Sequence, residues 1–292
     1  MKDRPLEVSG LTKVYRKSLG MKSFTAVSSI SFNLNPGEIM GFLGPNGAGK
    51  TTTIKCMLGL LKPSGGSVSL WGLRPASSRV RSRIGYVPEN PDYEDSFTPM
   101  EFLAMFAYMR GLDAGKPGMN ALLDRVGLNG WGTTRIRNFS KGMRQRLSLA
   151  LALQSKPDML IMDEPTGGLD PIARKEFRDI ILEERARGAS IFLSSHLLSE
   201  VETVCDRAVI LFRGRNVREG SLVDLLTRED SYLVSHIPPG GAAGAMIEET
   251  VSGPALQARI DSIRAAGNSI IEVRQDIRSL EEVFLSATGG NP

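Results

Sequence analysis

Apolar positions follow two periods over the first 220 residues. Runs at 6–11, 29–34, 38–43, 68–71 and 83–87 have the length and residue types of short strands, and the third stops at a glycine-rich turn. Other segments repeat every three or four positions. In 51–61, Ile54, Met57, Leu58 and Leu61 share one helical face. The segment from Thr98 carries its own start signals, with Thr98 as N-cap, Pro99 at the first helical position and Glu101 where a capping-box acid sits. Its stripe of Phe102, Met105, Phe106 and Met109 predicts a core-facing side. A second helix is predicted at 120–126, making 98–131 a mostly helical insert. A helix over 141–154, with Ser140 as N-cap, extends this helical subdomain to about 157.

The runs at 159–162, 191–194 and 208–212 read as strands of the buried parallel type, and 171–187 as a charged amphipathic helix. Strands alternating with helices predict a three-layer α/β domain over residues 1–220. After Gly220 the texture changes. Residues 235–245, which include Pro238-Pro239-Gly240-Gly241, read as a loop. Residues 254–266 read as helix, 268–274 as strand and 279–287 as a short capped helix. Residues 221–292 are therefore expected to form a small α+β appendage.

Composition narrows the class. A hydrophobic fraction of 41% and a charged fraction of 23% exclude wholesale disorder. The net charge of +4 is too small to argue for nucleic acid by itself. It is unevenly placed: five Arg and ten acidic residues leave 221–292 at −5, and the region before it at +9. Cys56 and Cys205 have no metal-ligand spacing partner and read as buried apolar residues of a reducing compartment. The first ten residues lack an apolar core, so no signal peptide is expected. The longest apolar runs fall far below the roughly 18 residues of a membrane helix. A soluble protein is expected, with any membrane role exercised through a partner.

The chemistry concentrates in Gly44-Pro45-Asn46-Gly47-Ala48-Gly49-Lys50-Thr51, which fits G-x-x-x-x-G-K-[ST] between a strand and a helix. Glycines let backbone N–H groups curl around phosphate oxygens, and the helix start adds its positive dipole end. Lys50 is expected to reach the β- and γ-phosphates, Thr51 to ligate Mg²⁺ and Thr52 to bond the α-phosphate. A second acidic site ends the strand at 159–162 in Asp163-Glu164. Asp163 can hold Mg²⁺ through water, and Glu164 can orient and deprotonate an attacking water.

With these motifs the chain resembles the ATP-binding subunit of an ABC transporter over about residues 6–220. Phe139-Ser140-Lys141-Gly142-Met143-Arg144-Gln145 resembles the family signature LSGGQ, keeping Ser140 and Gly142 but carrying Lys141 and Met143 in place of Gly and Gln. Thr166-Gly167-Gly168-Leu169-Asp170 resembles the D-loop that crosses the dimer interface. His196 sits where the family's switch histidine contacts the γ-phosphate. Tyr15 resembles the aromatic that stacks on adenine, although about six extra residues separate it from Ala26. Gly85-Tyr86-Val87-Pro88-Glu89 falls at the Q-loop, with Glu89 where Gln is usual; an acid there could hold Mg²⁺ or water. That Glu form and the ending Leu280-Glu281-Glu282-Val283-Phe284-Leu285 resemble the ABC-2-type exporter branch.

The resemblance implies a P-loop NTPase fold with a helical subdomain, and an ATPase using ATP and Mg²⁺. It implies two copies, or a homologous pair, sandwiching nucleotide so that Ser140 and Gly142 of one face the γ-phosphate held by the other. It also implies a separate membrane-spanning permease and a cytoplasmic position on the inner face of the cell membrane, with no nucleic acid partner. A non-transport ABC ATPase acting on ribosome or DNA is the alternative. Ribosome-acting relatives usually carry two cassettes in one chain and DNA-acting ones long coiled coils, and neither feature is visible here.

Overall fold

The computed structural model describes residues 4–15, 23–112, 115–240 and 245–289. The chain divides into two compact units, Met1–Gly220 and Ser221–Pro292. In the first, β1 (Leu6–Tyr15) and β2 (Phe24–Leu34) pair antiparallel, with Tyr15 opposite Phe24. β3 (Ile39–Leu43), buried throughout, leads through the glycine turn into α1 (Lys50–Met57). β4 (Gly65–Ser69) returns to the other side of β1, α2 (Ser78–Arg81) is a single turn, and β5 (Ile84–Val87) begins the edge of the main sheet.

The helical region follows as α3 (Pro99–Arg110), α4 (Lys116–Arg125) and α5 (Lys141–Leu153). The chain then alternates through β6 (Met159–Asp163), α6 (Pro171–Ala186), β7 (Ser190–Ser195), α7 (Leu198–Val204), β8 (Arg207–Phe212) and β9 (Arg215–Ser221). The main sheet has the order β5-β6-β7-β3-β8-β9, and its first five strands run parallel. β6 and β7 are buried at every position, which explains their unbroken apolar sequence. Phe32 of the antiparallel sheet meets Phe42 and Phe192 of the parallel one, with ring centroids 5.1–5.8 Å apart. Ile54 and Met57 of α1 join this core, so the turn before α1 is held from below by packed side chains.

Several elements differ from the sequence expectation. α1 stops at Met57 because Gly59 turns the backbone left-handed (φ 70°), although Leu58 and Leu61 still pack against the core. The strand expected at 68–71 lies at Gly65–Ser69, and Trp71 occupies a tight turn closed by Leu70 and Leu73. α3 has the expected capping box, with Thr98 N–H donating to Glu101 Oε2 at 2.8 Å. Its buried face is Pro99, Phe102, Leu103 and Ala107, whereas Met109 is exposed. The stripe is rotated because α3 rests on α5: the Leu103 carbonyl accepts from Gln154 Nε2 at 2.8 Å, and Ala107 is small enough for close approach.

In the second unit, α8 (Leu222–Leu226) precedes β10 (Thr227–Ile237), which lies between β11 (Ile247–Ser252) and, beyond α9 (Gly253–Ala265), β12 (Ser269–Ile277). α10 (Leu280–Thr288), capped by Ser279, ends it. Ile263 and Leu256 of α9 pack on Val234, Val251 and Ile270. The loop expected at 235–245 is strand as far as Ile237. Ser235 and His236 are buried there because Ser235 Oγ donates to Glu248 and His236 Nδ1 meets Asn268 Nδ2 at 3.2 Å. Residues 241–244 lie outside the described residues.

Candidate functional site

The parallel strand order brings β6, β7 and β3 side by side, and their carboxyl ends deliver Asp163, His196 and the glycine turn to one place. A cleft of roughly 380 Å³ opens there. Pro45, Asn46, Gly47, Gly49, Lys50, Thr51 and Thr52 line it together with Tyr15, Glu89 and Glu164. Gly44 and Ala48 shape the turn from behind. A β-carbon on Gly44 would lie 2.4 Å from the Leu211 carbonyl, and the Ala48 carbonyl accepts from Gly214 N–H at 3.0 Å. Gly49 stands at φ 109°, where a β-carbon would meet the Ala26 carbonyl at 2.6 Å. Gly49 also precedes α1 with no side-chain cap, so the first-turn N–H groups of α1 have no capping side chain.

Three ionisable side chains interlock in the cleft. Lys50 Nζ donates to the Gly44 carbonyl at 2.5 Å and pairs with Glu164 Oε1 at 3.1 Å. The other Glu164 oxygen meets His196 Nδ1 at 2.6 Å and accepts from His196 N–H at 3.2 Å. Both Lys50 and Glu164 are buried. Asp163 is buried behind them and accepts from Ser194 Oγ at 2.6 Å. The adjacent carboxylates thus face different ways, Asp163 into β7 and Glu164 into the cleft. Glu164 itself has φ 48°, an unusual backbone for a residue other than glycine. Burial first, then the carboxylates of Asp163 and Glu89, push Tyr86 up to about 12, so this phenol stays protonated.

Tyr15 places its hydroxyl 3.4 Å from Thr52 Oγ1 at the cleft mouth. Phe24, opposite it in the ladder and 56% exposed, also lines the cleft. Sequence reasoning passed over Phe24. Phe24 lies outside the strand expected at 29–34, and only its pairing with Tyr15 in the ladder brings it to the cleft.

Ser140, Gly142 and Asp170 do not line this cleft. Ser140 Oγ accepts from Met143 N–H at 3.2 Å, and Asp170 Oδ1 accepts from Ala173 N–H at 2.9 Å, so each caps its own helix. They neighbour each other, since a β-carbon on Gly142 would lie 3.3 Å from Leu169 Cδ2. Gln145 of α5 donates to the Pro88 carbonyl at 3.0 Å, tying the helix after Ser140 to the loop that carries Glu89. Among the described residues no cluster of three His, Cys, Asp or Glu side chains could hold a metal alone.

The family model for the ABC transporter matches residues 27–167. An uncharacterized ABC transporter ATP-binding protein of Nostoc sp. is 37% identical over 300 residues, covering 95% of this chain and 88% of that protein. The Nod factor export ATP-binding protein I of Paraburkholderia xenovorans is 37% identical over 291 residues, covering 94% and 95%. The solved ATP-binding subunit of an ABC transporter superposes with a TM-score of 0.66 at 34% identity, over 75% of this chain and 91% of that one. A bacterial ABC transporter cassette, dimeric in its own structure, shares the fold at a TM-score of 0.68 and 21% identity, over 74% and 98%. A P-loop cleft on a parallel sheet, joined to such likeness along nearly the whole chain, settles the family: the chain belongs to the ATP-binding subunits of ABC transporters.

Proposed function

We propose that the chain binds MgATP and hydrolyses it to power an exporter, of the ABC-2 type, through a separate membrane-spanning partner. The observation that carries this reading is the Lys50–Glu164–His196 constellation at the mouth of the glycine turn. Phosphate oxygens would replace the Glu164 carboxylate as the partner of Lys50, while the N–H groups of the turn and of α1 bind the remaining oxygens. Freed from Lys50, Glu164 can accept a proton from a water directed at the γ-phosphate, and His196 can hold that phosphate. Thr51 and Glu89 line the cleft and could hold a magnesium ion together with substrate phosphates, and Asp163, buried behind them, could reach it through water. When bound, Mg²⁺ would neutralise charge on the phosphates.

Ser140, Gly142 and Asp170 act across an interface in this reading. They lie outside their own chain's cleft and would close over nucleotide held by a second copy or a homologous ATPase. No helix among the described residues is long and apolar enough to cross a membrane. In this reading the permease is a separate chain, and this subunit sits at the cytoplasmic face of the cell membrane through it. α3, with Tyr108 and Met109 strongly exposed, and the Glu89 loop are the parts suited to pass motion to it. Export is supported by the relative whose name assigns it to Nod factor export. The test is MgATP binding and phosphate release by the purified chain and its Lys50→Ala variant, with co-purification of a multi-span partner from membranes. Equal nucleotide affinity in the two proteins would remove the loop assignment, and absence of such a partner would remove the transport role.

A further inference from the structure

We propose that Glu200 is a positioning residue for hydrolysis, holding the turn that carries Glu164. The inference rests on Glu164 serving as the base. The backbone of Glu164 is left-handed at φ 48°, and the turn after it is closed by Gly167 N–H donating to the Glu164 carbonyl at 3.1 Å. A strained conformation of this kind persists only where its surroundings over-determine it. Thr166, two residues on and buried, donates its hydroxyl to Oε2 of Glu200 in a short hydrogen bond. Oε1 of Glu200 faces Arg174 Nε at 3.6 Å, and the same Arg174 nitrogen donates to the Leu169 carbonyl at 2.9 Å.

One carboxylate therefore ties together three segments: the turn after β6, the first turns of α6, and α7, which begins just beyond His196. A hydroxyl bound to a carboxylate is charge-assisted and directional, so it fixes the angle of the turn as well as its distance. Thr166, Arg174 and Glu200 border a separate cavity of about 320 Å³ and none of them lines the nucleotide cleft. Glu200 thus acts on the direction of Glu164 without touching nucleotide. The glycine turn is held by other contacts, to Leu211 and Ala26, and Lys50 keeps the Gly44 carbonyl as a partner when its pair with Glu164 loosens. Loss of Glu200 should therefore slow the chemical step without weakening ATP binding.

The test uses the full chain and reads ATP affinity and MgATP turnover separately. Thr166→Val and Glu200→Ala are each expected to lower kcat about tenfold or more, with ATP affinity no weaker than the parent's. Thr166→Ser keeps the hydroxyl and should turn over like the parent. The Thr166→Val/Glu200→Ala double variant should be no slower than the slower single, since both remove one interaction. Glu200→Ala added to Glu164→Gln should leave residual turnover unchanged, because the positioned group is already gone. Parental kcat in Glu200→Ala, multiplying losses in the double variant, or affinity falling in step with kcat would each overturn the proposal. If Glu200→Ala does not fold, the comparison of Thr166→Val with Thr166→Ser decides, equal rates overturning it. Failure of the parent chain to hydrolyse ATP would instead strike the reading of Glu164, a separate and recognisable outcome.

Discussion

Replacing Glu164 by Gln should tighten ATP binding while reducing turnover to a small residual rate. Lys50 is engaged at 3.1 Å by a carboxylate that is itself buried. Incoming phosphate must take Lys50 from that partner. A hydrogen bond to a charged group contributes about 1.5–3 kcal/mol and a neutral one about 0.5–1.5 kcal/mol. A neutral amide at 164 therefore lowers the cost of releasing Lys50 by about 1–1.5 kcal/mol, which is roughly five- to tenfold in affinity. The same change removes the proposed general base, worth about 10²–10⁴-fold in rate. Calorimetric titration with MgATP gives the first quantity, and phosphate release gives the second. Unchanged or weaker ATP affinity in a Glu164→Gln protein of normal melting behaviour would show that ATP binding does not break the Lys50–Glu164 pair.

Three further outcomes follow from named contacts. Gly49→Ala combines an unfavourable backbone with a 2.6 Å collision against Ala26, whereas Gly47→Ala at φ 81° meets nothing within 4 Å. Thermal unfolding should fall by about 2–4 °C for Gly47→Ala and by about two to four times as much for Gly49→Ala, about 1 kcal/mol of strain against strain plus 1–3 kcal/mol of overpacking; equal shifts would contradict the turn geometry. Phe24→Ala should weaken ATP binding by about two- to tenfold and leave inorganic triphosphate binding unchanged, since an aromatic contact contributes about 0.5–1.5 kcal/mol; equal weakening of both ligands would exclude base stacking. Hydrogen bonding and charge from Arg259 hold the Glu249 carboxyl below its ordinary value. Its contribution is complete above the unfolded carboxylate pKa and disappears as pH falls through the lower folded value, so the protection of β11 amides relative to their intrinsic exchange rate at each pH should fall over that acid window, and Glu249→Gln should flatten the response.

What the sequence disclosed follows from how local its causes are. The Gly44–Thr51 turn, the Thr98 capping box and the apolar run ending in Asp163 each depend on neighbours within a few residues, and each lies where its pattern placed it. The face of α3 that packs includes Leu103 and Ala107, which lie outside the stripe of Phe102, Met105, Phe106 and Met109, while Met109 is left exposed. The strand reaching Ile237 is hidden in the sequence because the partners of its polar Ser235 and His236, Glu248 for the hydroxyl and Asn268 for Nδ1, come from later segments. The grouping of Lys50, Glu164 and His196 is topological, since strand order alone makes residues more than a hundred apart neighbours. The motif supplied their identities, but only the sheet supplies their contact. Phe24 belongs to the same class, for its role depends on lying opposite Tyr15.

The departures from the family signature have a physical reading in the same terms. The cap made by Ser140 uses the backbone N–H of Met143, so it makes no demand on that side chain, and Met serves where Gln is usual. Gly142 has less freedom, since a β-carbon there would press on Leu169 at 3.3 Å. Lys141 brings its ammonium beside Gly168, 3.3 Å from where a β-carbon on that glycine would sit. It thereby adds positive charge at a helix start whose dipole already favours an anion. Glu89 does the reverse at the other half of the site, adding a negative charge to the cleft that holds Lys50. If a second copy closes over bound nucleotide, its lid is more positive, and the receiving cleft more negative, than in a cassette with Gly and Gln at these positions. Ionic strength should then weigh more heavily on closing of the pair than on binding of nucleotide to one chain, because the added lid charge acts only across the seam.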